Sequence, residues 1–326
     1  MSTLALKGPY WVTVRQYRRT LWLTGALVLL TLAVMGGLRI WDLQTPDVYL
    51  QDGYSAPSDE NRGFRTLTLA MDYLGLGILF VPLLAGAFVA GPLVAREFES
   101  GTYKVSLTQS LSPAAWLRAK LLTATAVALL TTVTLMGAFR IGWSRMAPSG
   151  YLSWDPHPYA ATGIVHFAYV LAAVAVGALV GQLIRRTLVA MSATGLVMGV
   201  VMLVMGAYRW SILPVKTVTG PAGPSLWAPG HGLVMDTGLL TPSGVRFDRS
   251  FCWEEASRTP GTDAAGDLWA KIEAQCRASH DLTGQYVDYH PESHYWPTQL
   301  IETGILLALA ALAAFAAFRV LRARHP

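Results

Sequence analysis

Few residues of this chain are of a type and spacing to do chemistry. His280, His290 and His294 lie near one another, and imidazole is the commonest metal ligand. His290-x-x-x-His294 would place two ligands on one face of a helix, but Pro291 and the turn-like Asp-Tyr-His-Pro surroundings break that helix. No metal ligand set is therefore assigned. Cys252 and Cys276 are the two cysteines. Outside the cytoplasm a disulfide between them is the default expectation, with two free thiols as the alternative. A loop of this length closed by a disulfide gains about 3–4 kcal/mol in the chain-entropy account. The chain carries no G-x-x-x-x-G-K-[ST] phosphate loop, no G-x-S-x-G elbow, no H-E-x-x-H and no dinucleotide fingerprint. It is expected not to be an enzyme and to hold no cofactor of its own.

The remaining candidates are Glu97 and Glu99, in the polar stretch from Arg96 to Lys120, REFESGTYKVSLTQSLSPAAWLRAK. That stretch separates two apolar runs, each long enough to cross a bilayer. Gly101 suits the left-handed position that ends a helix. Thr102 can cap a new short helix from Tyr103 to about Gln109, with Tyr103 and Leu107 on one face at i,i+4. Ser112 and Pro113 read as the N-cap and first position of the next helix. The expected product is a helix, a tight break, a short surface helix over about 97–112, a second break and a helix.

The elements that must position this hinge are read from composition. Of 326 residues, 53% are hydrophobic and only 14% charged, whereas soluble domains carry about a quarter charged residues. Apolar residues cluster in six runs, about Leu21–Ile40, Met71–Ala95, Leu121–Gly142, Ala161–Ile184, Leu188–Tyr208 and Gln299–Val320. Runs without two-residue alternation exclude a membrane barrel. The expected fold is an all-α polytopic membrane protein with six transmembrane helices. Residues 1–208 hold the first five helices, 209–298 a sizeable extracellular segment, and 299–326 the sixth helix with a basic tail. Tyr10, Trp11, Tyr17 and four basic residues suit an N-terminal helix lying along the inner interface. The apolar run that follows is too long for a cleavable signal and lacks a cleavage pattern.

Six spans put both termini on one side. With that side cytoplasmic, the basic residues around Arg15–Arg19, Arg96–Lys120, Arg185–Arg186 and Arg319–Arg324 fall inside, as the positive-inside bias requires. In the two shorter outer loops fall only Arg39, Arg62, Arg65, Arg140 and Arg145. The net charge of +5 is thus a matter of topology, and no nucleic-acid partner is expected. On this topology Glu97 and Glu99 are the only cytoplasmic carboxylates among twenty. They orient the hinge or meet a basic partner surface, or else are solvated acids incidental to a helix end.

Within the spans, Pro82 and Pro92 bend the second helix. Thr123, Thr125, Thr131, Thr132 and Thr134 in the third are expected to bond back to their own helix or pack against a neighbour, with the lining of a polar pathway as the alternative. Gly177-x-x-x-Gly181 in the fourth and Gly195-x-x-x-Gly199 in the fifth are expected to let those two helices pack closely. His166 reads as an ordinary packed polar residue. Glu302 is either a dipole-favoured acid in a first helical turn or a functional charge. A helix is expected over about Asp263–Ser279.

Together, the six spans, the basic N-terminal segment and the run L-V-A-R-E-F-E-S-G-T-Y-K-V-S-L-T-Q-S-L-S-P-A-A-W-L-R-A-K-L resemble permease subunits of type-2 ABC transporters, most closely actinobacterial ones. The matching positions are Glu97, Glu99, Gly101, Thr102, Thr108, Gln109, Ser110 and Ser112. The segment from Tyr289 to Gly304 is also similar to actinobacterial members. Many relatives carry a basic residue where this chain has Pro113. The resemblance implies an exporter in the bacterial plasma membrane, built from two permease subunits and two copies of a separate ABC ATP-binding subunit. The permease pair is a homodimer or a heterodimer, it contacts membrane lipid, and its cargo is unknown. ATP and Mg would bind the partner subunit. The hinge would be the coupling helix, with Arg96, Glu97, Glu99, Gly101, Thr102, Tyr103, Lys104, Leu107 and Gln109 contacting the ATPase. Lys104, Arg118 and Lys120 flank it and could meet acids there.

Two rival classes compete. One is a membrane-embedded enzyme using the outer histidines and carboxylates. The other is a membrane-anchored sensor or assembly factor that binds through its outer segment.

Overall fold

The computed structural model describes residues 15, 18–49, 55–58, 60–103, 112–146, 155–222, 226–230, 232–258 and 267–324. The expected interfacial helix at residues 1–20 lies almost wholly outside them. Among the described residues, six helices are long and apolar enough to cross a membrane: Leu21–Asp42, Arg62–Ser100, Pro113–Met146, Val165–Leu183, Thr187–Ser211 and Glu292–Arg324. The protein is a mostly helical polytopic membrane protein, as expected for its six apolar spans. Below, the hinge end of the spans is the end that carries Arg96 and Lys120, and the far end is the opposite one.

The chain divides into two compact units, residues 1–209 with 299–326, and residues 210–298. The first is the helical body. It comprises α1 (Arg18–Asp42), α2 (Arg62–Leu84), α3 (Gly91–Ser100), α4 (Pro113–Met146), the short α5 (Pro156–Thr162), α6 (Val165–Leu183), α7 (Thr187–Tyr208) and most of α10 (Tyr295–Arg324). A short hairpin of β1 (Val48–Tyr49) and β2 (Ser55–Ala56) follows α1. Helix α6 is the central one, with most of its residues buried. Spans one, five and six turn residues such as Leu23, Leu30, Leu188, Leu203 and Leu312 outward. Lipid, rather than protein, covers such a surface.

The second span is one continuous helix with a defect. Between α2 and α3, residues Ala85–Ala90 form a π-helical turn, three residues after Pro82. A π turn holds one residue more than an α turn, and here the Gly91 N–H donates to the Gly86 carbonyl five residues back. The wide turn packs directly on α6. A side chain at Gly177 would come within 2.8 Å of Ala90 Cβ and 2.9 Å of the Gly86 carbonyl oxygen, and one at Gly181 within 2.6 Å of the Gly91 carbonyl oxygen. Gly195 and Gly199 of α7 face Ala87 and Leu83 of the same span. This corrects the expected pairing: both small-residue motifs receive the second span rather than each other. Small residues at these positions let backbones approach, but they do not specify whose backbone.

Four threonines of the third span bond back as expected. Thr123, Thr131, Thr132 and Thr134 each donate to the carbonyl four residues earlier, at 2.8–2.9 Å. His166 is 1% exposed, and its Nε2 has no hydrogen-bond partner among the described residues.

The second unit contains a four-stranded antiparallel sheet in the order β3 (Lys216–Pro221), β6 (Gly284–His290), β4 (Leu233–Leu240), β5 (Arg246–Asp248). The sequence did not predict this sheet. Helices α8 (Phe251–Arg258) and α9 (Asp267–Ser279) are joined by the Cys252–Cys276 disulfide, whose half-cystines pack with Leu239 and Leu282. Helix α9 agrees with the expected helix to its last residue, and residues 259–266 lie outside the described set. On the central strand, Asp288 accepts from the Thr217 hydroxyl (2.5 Å) and from Arg246 Nη1 (2.7 Å). The Arg246 guanidinium also lies 4.4 Å from the Tyr286 ring centre. Burial alone would raise the Asp288 carboxyl, but these two donors hold it below the usual carboxylate range. The expected break between the two histidines is present. His290 ends β6, and His294 closes a short 3₁₀ turn after Pro291. His290 Nε2 lies 2.9 Å from the Trp210 carbonyl oxygen and its Nδ1 lies 3.1 Å from His294 Nδ1. An Nε2–H donating to Trp210 leaves His290 Nδ1 to accept from His294.

Candidate functional site

The site begins where α3 ends. Gly101 closes that helix at φ 71°, the left-handed cap expected of it. A side chain there would meet nothing within 4 Å, so the backbone angle alone selects glycine. The Ser100 and Thr102 hydroxyls lie 2.9 Å apart across the break. On the return side, Ser112 Oγ accepts from the Ala115 N–H at 3.2 Å and α4 starts at Pro113, as the sequence indicates. Lys104, Leu107 and Gln109, with the rest of the expected short helix after Tyr103, lie outside the described residues.

The two acids of the hinge have separate tasks. Glu97 points inward and is 7% exposed. Its Oε1 accepts from Lys120 Nζ at 2.5 Å and its Oε2 from Trp116 Nε1 at 3.0 Å. Lys120 Nζ also donates to the Leu93 carbonyl at 3.3 Å and lies 5.2 Å from the Trp116 ring centre. A buried ion pair of this kind is tolerable because each partner is also hydrogen-bonded. It clamps the end of the second span to the start of the third. Phe98 packs over this clamp, with ring centres 4.8 Å from Tyr103 and 5.9 Å from Trp116. Glu99 lies on the exposed side and accepts from the Thr187 backbone N–H (2.9 Å) and from the Thr187 hydroxyl. Thr187 opens α7, so Glu99 caps the fifth span, where an acid is favoured by the helix dipole.

Lys120, grouped in the sequence with residues able to meet a partner, is 3% exposed and engaged by Glu97. This is a correction: the helix turns it into the chain. Arg96, Glu99 and Thr102 are exposed, and Gly101 and Tyr103 are half-buried.

A second charge cluster closes the far end of the body. Glu302 is fully buried. Arg209 binds it in a fork, Nε to Oε2 at 2.9 Å and Nη2 to Oε1 at 3.0 Å. The Tyr159 and Tyr169 hydroxyls donate to the same two oxygens at 3.0 and 2.5 Å. Glu302 is therefore the counter-charge of a cross-helix pair rather than a dipole-favoured acid. Sequence reading missed Arg209, because it stands just past the apolar run of the fifth span. A paired arginine there is the one signal that a buried acid at the start of span six needs. Another far-end knot joins Asp42 to Arg39, Arg145 and Asn61, and Arg145 also binds Asp47.

Six apolar helices, central small-residue packing and a polar hinge clamped to three of the helices make a polytopic membrane body. A family model described as "ABC-2 membrane transporter related" matches residues 23–209, more than half of the chain, and the protein belongs to that family. Membership implies association with ABC ATP-binding subunits. No curated protein and no solved structure matches the chain.

Proposed function

We propose that this chain is the membrane subunit of an ATP-driven exporter in the bacterial plasma membrane. Its hinge, Arg96 to Lys120, is the seat of a cytosolic ATP-binding subunit, and both termini lie in the cytoplasm. Two permease chains and two ATP-binding chains make the working assembly. The permease does no chemistry and holds no cofactor; ATP and Mg act in the partner.

The observation that carries this reading is the wiring of the hinge. Glu97 ties it to the third span and Glu99 ties it to the fifth. A push on the hinge surface therefore displaces three helices together. Alternating access needs such a bistable body biased from outside, and packed small-residue interfaces shift in discrete steps. The exposed Arg96 and Thr102 and the half-buried Gly101 and Tyr103 form the described part of the contact surface, with Lys104, Leu107 and Gln109 completing it.

Two measurements test this. Thr102→Cys is probed with a membrane-impermeant maleimide in intact cells, since the chain's own cysteines are joined. Labelling without permeabilisation overturns the topology. Co-expression with an ATP-binding subunit from the same operon, against Glu99→Ala and Gly101→Val, tests coupling. Unchanged stimulation of ATP hydrolysis in both variants overturns the role of the hinge.

A further inference from the structure

Two helix faces meet at the hinge end to form an open groove of about 460 Å³. Arg118 and Leu122, at i,i+4, come from α4; Phe315, Phe318, Arg319 and Arg322 come from α10 at i, i+3, i+4 and i+7. The apolar members lie toward the membrane interior and the arginines toward its edge. Phe315 is 65% and Leu122 51% exposed, so the greasy wall opens sideways to lipid. All three arginines are exposed, and none forms an ion pair with a described residue.

Charge accounting sharpens this. The sequence places only two side-chain carboxylates, Glu97 and Glu99, among the hinge-end segments. Glu97 is taken by Lys120 and Trp116, and Glu99 caps Thr187. The residues outside the described set at this end, 1–14, 16–17, 104–111 and 325–326, contain no Asp or Glu. Neutralisation of the three guanidiniums must come from outside the chain's own side chains. The nearby Arg324 is already used: its Nη1 donates to the Gln182 carbonyl at 2.6 Å.

The geometry points to a site for one anionic phospholipid of the adjoining leaflet. Its phosphate is held by Arg118, Arg319 and Arg322, and an acyl chain lies along Leu122, Phe315 and Phe318. Guanidinium forks match phosphate oxygens, and basic pockets between spans bind anionic headgroups. A soluble subunit offers acidic surface but no hydrocarbon for the lipid-facing wall. The bound lipid bridges the third and sixth spans beside the hinge. The site rests on the hinge end lying at a bilayer surface, as proposed above. Its test is run in detergent, where sidedness plays no part, so failure of the topology and failure of the site are distinguishable.

The full-length chain is purified and offered phosphatidylglycerol or phosphatidylcholine of identical acyl chains, and retained lipid is counted by native mass spectrometry. Phosphatidylglycerol should be retained at least about ten-fold more. The triple variant Arg118→Gln, Arg319→Gln, Arg322→Gln should erase that preference, leaving phosphatidylcholine unchanged. Arg62→Gln with Arg65→Gln, at the far end, should leave it intact. Millimolar glycerol 3-phosphate should not displace the lipid. Should the triple variant fail to fold, Arg322→Gln alone should lower the preference about three-fold. Equal retention of the two lipids, a preference that survives loss of the arginines, or displacement by glycerol 3-phosphate overturns the proposal. So does a triple variant that keeps the preference but loses a second copy of the chain or the ATP-binding subunit.

Discussion

Lys120 Nζ sits 2.5 Å from Glu97 Oε1, and both groups are buried where the second span ends and the third begins. Two charges that looked like surface features of a cytosolic loop are the internal fastening of that loop. Removing one of them strands the other.

Glu97→Ala should therefore destabilise the body by about 3–5 kcal/mol, the cost of leaving a buried charge unpaired. Glu97→Leu combined with Lys120→Met should recover most of the loss. A double-mutant cycle of melting temperatures in detergent checks this. Additive single losses would mean that the two groups do not depend on one another.

Gly101→Ala should cost about 1 kcal/mol, because the penalty is the left-handed backbone angle and not a clash. Gly101→Asn should be nearly silent, since asparagine tolerates that angle. Melting temperature and stimulation of the partner's ATP hydrolysis report the two effects separately. Equal damage from alanine and asparagine would point instead to steric crowding.

Gly177→Ala should be far worse than Gly206→Ala, although both lie in apolar helices. The new methyl at Gly177 meets Ala90 Cβ and the Gly86 carbonyl within 3 Å, whereas at Gly206 it meets nothing within 4 Å. At Gly206 the change should be neutral or slightly stabilising, by up to about 1 kcal/mol from helix propensity. Thermal melts of the two variants, with transport assayed alongside, decide it.

The second unit should weaken in acid. The Asp288 carboxyl is held below its ordinary value by Thr217 and Arg246 against the opposing effect of burial. A depressed carboxylate contributes stability above its unfolded pKa of about 3.9, and that contribution is lost as pH falls through the lower folded value. Susceptibility of residues 210–298 to pepsin should therefore rise as pH drops below about 4. Asp288→Asn should flatten that rise while being more susceptible than wild type at each pH above it.

How much of this was legible in the sequence differs by residue. The six spans were plain, because lipid leaves a chain few ways to satisfy its backbone. Gly101 and the Ser112–Pro113 start were legible because their geometry is local. The Cys252–Cys276 pair was legible from its context alone. Lys120 was not, since only the packing of Trp116 and the turn of α4 decide which way it faces. Nor was the receiver of Gly177 and Gly181, which depends on a π turn with no sequence signature of its own. The sheet in residues 210–298 was hidden because its strands lack clean alternation; on β6 three successive residues, Tyr286, Val287 and Asp288, are all buried. Arg209 and Glu302 stand 93 positions apart, and nothing local marks them as partners.

The wide turn at Ala85–Ala90 is in effect a one-residue insertion kept inside a spiral. Deleting a residue there would restore a regular helix and swing everything beyond it by about 100°. Glu97 would then point away from Lys120, and Glu99 away from Thr187. The phase of the whole lower segment, and with it every anchor of the loop, is set by a single surplus amino acid deep in the bilayer.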